Sequence, residues 1–135
     1  YNTNKLIQNI KEYFGIAVEN YNSKSLENVE LNFEKLAAGL GEHLFNNITE
    51  KIIGSDIAVF EVSDLNPNVM IELGVALTWG VRVLIFKEIN SPKTPSDISG
   101  HTWIEHEDSG KKILHDDFQK KLNEMVERAI MSKRG

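Results

Sequence analysis

The chain of 135 residues has no cysteine, which excludes a disulfide framework, a zinc–thiolate cluster and a thiol nucleophile. That absence fits a reducing compartment, and the expected location is cytoplasmic. No apolar run approaches the roughly 18 residues of a membrane span, and no signal peptide is visible, so no membrane partner is expected. Basic residues are outnumbered 15 to 20, for a net charge of −5, which argues against general nucleic-acid binding. Proline is scarce. Two of the three fall within Asn90–Gly100, which reads as a long surface loop. What remains is ordinary for one globular domain over residues 1–135, with 41% hydrophobic and 26% charged residues. A chain of this size buries roughly 68% of its unfolded surface, enough for a core of its own.

Leu6, Ile7, Ile10 and Phe14 recur at helical spacing, so a helix is expected over Asn4–Phe14, with Gly15 as its stop. Ile16-Ala17-Val18 then offers a brief strand, and Glu19–Asn28 a polar loop. Leu36, Leu40, Leu44, Ile48 and Ile52 predict a helix within Leu31–Ile53, kinked or divided near Gly39 and Gly41. Ile57–Val62 is the clearest strand, its near-continuous apolar run suiting a parallel strand covered on both faces. Asn66-Pro67 opens a helix with a capping residue followed by proline at the first helical position, and Gly80 closes it. Arg82–Lys87 is a second strand, Thr102–His106 a short third, and Leu114–Met131 a final amphipathic helix. Strands and helices alternate, so the expected class is α/β with a small, mostly parallel sheet. The pattern calls for a further first strand, which would lie upstream of Tyr1.

Between Asp64 and Arg82 the one ionisable side chain is Glu72, set among Val69, Met70, Ile71, Leu73, Val75, Ala76, Leu77 and Trp79. A helix apolar on nearly every side is expected to be buried. A carboxylate inside it is costly unless it is paired, with Arg82 for example, turned out to solvent, or functional. In open α/β sheets ligands bind beyond the carboxyl ends of the strands, and Ser63, Asp64, Asn66 and Asn68 stand on that rim. Glu72 follows Asn68 by four residues, so both project from one face of the helix. One carboxylate ringed by amides and a hydroxyl suits a small polar ligand such as a sugar.

The run from Ser55-Asp56-Ile57-Ala58-Val59-Phe60-Glu61-Val62-Ser63-Asp64 through Asn66-Pro67-Asn68-Val69-Met70-Ile71-Glu72-Leu73-Gly74-Val75-Ala76 resembles the nucleoside 2-deoxyribosyltransferases and the related TIR-like domains. The likeness covers about Ser55 to Phe86, and the flanks agree in the order of elements. Arg82 stands near the place where those families carry lysine. The resemblance implies a flavodoxin-like three-layer sandwich and chemistry at an N-glycosidic bond. It implies that Glu72 attacks the anomeric carbon of a nucleotide or stabilises its oxocarbenium-like transition state. Asp64, Asn66 and Asn68 would hold ribose hydroxyls or phosphate. The first substrate it suggests is NAD, hydrolysed as by TIR-like enzymes, with no separate cofactor. Base exchange on deoxynucleosides, or hydrolysis of a deoxynucleotide, is an alternative, and a non-catalytic nucleotide-sensing or protein-interaction module of signalling or defence is another. Relatives of both kinds assemble as homo-oligomers, so a second copy is an expected partner, and the domain can be part of a larger signalling or defence protein.

Other residues carry weaker signals. Asp97 and Trp103, beyond the second strand, are candidates to cover a base or nicotinamide, with Trp103 alternatively a core residue. Glu61, odd in an apolar strand, is either a second pocket carboxylate or an edge-facing glutamate. The histidines His43, His101, His106 and His115 lack metal-ligand spacing and read as surface residues, so no metal is expected.

Overall fold

A computed structural model of the chain describes residues 3–26, 28–34, 56–63, 67–91 and 103–134. Its elements, numbered among these residues, are α1 (Thr3–Lys24), β1 (Ile57–Glu61), α2 (Pro67–Thr78), β2 (Arg82–Glu88), β3 (Trp103–Glu107), β4 (Lys112–Ile113) and α3 (Phe118–Arg134). The class is α/β. The four strands form a mixed sheet in the order β1-β2-β3-β4, with β1 and β2 parallel and β3 and β4 antiparallel. The antiparallel pair lies at one edge of the sheet. Among the described residues no helix is long and apolar enough to cross a membrane. The chain divides into two compact units, one of residues Tyr1–Glu34 and His106–Gly135 and the other of Lys35–Glu105.

In the first unit, α1 and α3 pack on each other. Leu6, Ile10, Phe14 and Ala17 are the buried stripe of α1, and Phe118, Leu122, Val126 and Ala129 repeat the same spacing on α3. Tyr13 meets Phe118 edge to face at 5.4 Å between ring centroids. The stripe passes straight through Gly15, so the expected stop there is wrong: α1 continues for nine residues beyond it, to Lys24. A mid-helix glycine costs about 1 kcal/mol against alanine, less than the burial of Phe14 and Ala17 on either side returns. Ile16-Ala17-Val18 is therefore helical, not a strand, and the loop begins after Lys24, not at Glu19. Residues 31–34 are not helical either, and the rest of the helix expected over Leu31–Ile53 lies outside the described residues.

The strand β4 was not anticipated. It pairs with β3 through His106↔Ile113 and Glu107↔Lys112 across a tight turn in which Ser109 and Gly110 have φ of 52° and 82°. Asp108 also has a φ of 52°, so three consecutive residues of the turn are left-handed, and Lys111 N–H donates to Asp108 O across it. The turn carbonyls are held from α1: Asn9 Nδ2 donates to Ser109 O at 3.0 Å, and the Tyr13 hydroxyl lies 2.6 Å from Gly110 O and 2.9 Å from Lys111 O. The last helix starts at Phe118 and not Leu114, because Asp117 accepts the first helical bond, from Lys121 N–H, at its carbonyl. The Asp117 carboxylate also meets Lys121 Nζ at 3.2 Å. That hydrogen bond is the main reason its carboxyl lies below the usual range.

In the second unit, β1, α2 and β2 make a βαβ crossover, with register Ile57↔Arg82 to Glu61↔Phe86. Alternate residues of β1 face the helix: Ala58, Phe60 and Val62 form one core cluster with Leu73 and Ala76 of α2 and Ile85 of β2. Leu84, Ile85 and Phe86 are buried in succession, as in a strand covered on both faces. Pro67 opens α2 as expected. Gly80, at φ 71°, ends it, with Gly80 N–H donating to Leu77 O and Val81 N–H to Ala76 O. Those two bonds satisfy carbonyls that a helix end leaves open.

Candidate functional site

The crossover sends the chain from the carboxyl end of β1 into α2, which is where α/β sheets place ligands. Only Glu72, Leu73 and Ala76 of α2 are buried, so the helix is covered along one stripe. Ile71 is 52% and Trp79 66% exposed, which corrects the expectation of a helix buried all round. Glu72 lies on the sheet-facing stripe beside Leu73 and retains 8% of its exposure. Among the described residues no cation or hydrogen-bond donor meets its carboxylate, so the pairing considered with Arg82 is not made. Burial alone pushes its carboxyl above the ordinary glutamate range.

A carboxylate in this state has a definite chemistry. Among the described residues its charged form has no partner, and burial of the residue disfavours it, so a positive charge arriving beside it would be stabilised more strongly than in water. Asn68 lies one turn before it on an exposed part of the same helix, with further interactions of its own.

The rim residues sort differently from the expectation. Ser63 is buried, and its Oγ accepts the Glu88 N–H at 2.7 Å, joining the ends of β1 and β2. Glu61 turns back on its own chain, Oε1 accepting the Ser63 N–H. Strand alternation puts Glu61 opposite the residues that face α2, so it is not brought beside Glu72. Trp103 is half-buried and packs against the core cluster of β1 and α2. Asp64, Asn66 and Asp97 lie outside the described residues. Of the residues expected at the site, Glu72 and Asn68 share a helix side, Ser63 and Glu61 share the strand exit, and Trp103 belongs with the core.

Glu88 was missed as a member of this rim, because the strand was expected to stop at Lys87. The parallel register, extended by two residues, sets it opposite Ser63. His106 is fully buried, which corrects the reading of it as a surface histidine. His43 and His101 lie outside the described residues. Among the described residues no group of three or more His, Asp or Glu could hold a metal ion. No family model, curated protein or solved structure matches this chain.

Proposed function

We propose that this chain cleaves or exchanges the N-glycosidic bond of a nucleotide, with NAD hydrolysis as the leading reaction and Glu72 as its catalytic carboxylate. The observation that carries the reading is Glu72 itself, a buried glutamate residue on the sheet-facing stripe of the helix that follows β1, with burial as the cause of its raised pKa. A purely structural position in that stripe would be filled at lower cost by an apolar side chain. The pattern from Ser55 to Phe86 supports the same reading through its resemblance to nucleoside 2-deoxyribosyltransferases and TIR-like domains. It also supports a flavodoxin-like three-layer arrangement and assembly with a second copy, and the absence of cysteine fits a cytoplasmic setting.

In the proposed reaction the bond from C1′ to the base nitrogen breaks, and its electron pair leaves with the base. Positive charge develops on the sugar ring, and the Glu72 carboxylate stabilises it in a site poor in water. The carboxylate either faces this cation until water adds to C1′ and loses a proton, or bonds to C1′ and is displaced by water or a second base. Nicotinamide leaves as a neutral molecule from a pyridinium ring, which makes NAD the most readily cleaved of the candidate substrates.

A second reading, a protein-interaction module without turnover, draws on the exposed Ile71 of α2 and Trp79 just beyond its end. One experiment separates the two. Wild type and Glu72→Gln are incubated with NAD and with a panel of deoxynucleosides and nucleotides, and products are resolved by liquid chromatography. Free nicotinamide or free base from wild type alone supports the enzyme; equal product from both proteins removes Glu72 from the mechanism.

A further inference from the structure

Three consecutive residues at the end of β1 are fastened by three different hydrogen bonds. Val62 N–H donates to Phe86 O at 2.9 Å, carrying the ladder one residue past the last paired position, Glu61↔Phe86. Ser63 then leaves the sheet, and its side chain takes over from the backbone: Oγ accepts the Glu88 N–H at 2.7 Å, across 25 residues of sequence. The Ser63 N–H, which has left the ladder, is taken by the Glu61 carboxylate. All these groups are buried or half-buried, where a hydrogen bond left unmade costs about 1–3 kcal/mol.

The fastening bears directly on the helix. Val62, between Glu61 and Ser63, is 1% exposed and belongs to the same core cluster as Leu73 and Ala76. Leu73 follows Glu72 in sequence, so the packing of the cluster that Val62 and Leu73 share bears on how Glu72 is presented. Close-packed cores transmit such displacements instead of absorbing them.

We infer that Ser63 is a positioning residue: its hydroxyl clamps the exit of β1 to Glu88 of β2, and through Val62 and Leu73 it fixes the seat of Glu72. Glu61 is part of the same clamp. The inference rests on the reading of Glu72 as catalytic for its functional meaning, and on the clamp geometry for its structural content.

The test compares Ser63→Ala and Ser63→Thr with wild type by NMR and by turnover. Ser63→Ala should raise amide exchange at Glu88 by about tenfold or more relative to Ile85, since the lost acceptor is worth at least one hydrogen bond. It should also move the side-chain carboxyl ¹³C signal of Glu72 at constant pH, and Ser63→Thr should restore both. With a substrate that wild type cleaves, Ser63→Ala should lower kcat and leave KM within about twofold. If Ser63→Ala does not fold, Ser63→Cys, which keeps the volume but is a weak acceptor, is read in the same way. Unchanged exchange at Glu88, or an unmoved Glu72 signal, overturns the inference. The two NMR changes without product from any substrate would leave the clamp standing and remove the catalytic reading alone.

Discussion

Replacing Gly110 by alanine tests the packing of the first unit more sharply than any truncation in its core. Two costs combine there. Gly110 has a φ of 82°, a left-handed conformation that costs an L residue about 1–2 kcal/mol. A Cβ built at this position also comes within 2.7 Å of Leu6 Cδ1, far inside normal contact. Leu6 is buried, so its methyl group has no solvent to swing into. The turn cannot easily back away, because Asn9 and Tyr13 hold the carbonyls of Ser109, Gly110 and Lys111. Overpacking of this kind costs about 1–3 kcal/mol, so Gly110→Ala should destabilise by about 2–5 kcal/mol. Gly80 supplies the control. Its φ is 71°, yet no heavy atom lies within 4 Å of a Cβ built there, so Gly80→Ala should show the backbone cost alone, about 1–2 kcal/mol. Urea unfolding followed by circular dichroism measures both. Combining Gly110→Ala with Leu6→Ala should cost less than the sum of the single changes, by about 1–3 kcal/mol, because the second removes the atom that the first strikes. Equal losses at Gly110 and Gly80, with strict additivity in the double variant, would refute the overlap.

Two further substitutions have expected outcomes of the opposite sign. Glu72→Gln should stabilise the fold at neutral pH and leave it unchanged in acid. Burial raises the folded carboxyl's pKa above its unfolded value, so stability is fully present below the unfolded pKa and is lost as pH rises through the folded one. Thermal unfolding from acid to neutral pH reads this directly, and parallel curves for the two proteins would contradict it. Gly15→Ala should stabilise by about 1 kcal/mol, since the site is helical and no atom lies within 4 Å of a new Cβ; an unchanged urea midpoint would count against a continuous α1.

The βαβ unit was legible because each of its signals is local. An apolar run, an Asn-Pro start and a glycine stop bound β1 and α2 within a residue or two of their observed ends. Glu72 was legible for the same reason, as the lone charge in that helix. Gly15 misled because its local cost was weighed without the burial that spans it, although Leu6, Ile10, Phe14 and Ala17 continue the period unbroken. Ser109-Gly110 marks a turn in its own right, the one signal in the sequence that points toward β4. The clamp of Glu61, Ser63 and Glu88 was illegible in a stronger sense, since it exists only once the parallel register sets residue 63 against residue 88. The exposure of Trp79 has a similar origin. Composition alone does not say which side of an apolar helix meets the sheet.

The central claim is that Glu72 acts on an N-glycosidic bond. Its most direct test is the release of nicotinamide from NAD, or of base from a deoxynucleoside or nucleotide, by wild type and Glu72→Gln at equal, high protein concentration. Product is expected from wild type, with a loss of at least about 100-fold in Glu72→Gln and that variant folded and no less stable. Product formed equally by both proteins would contradict it.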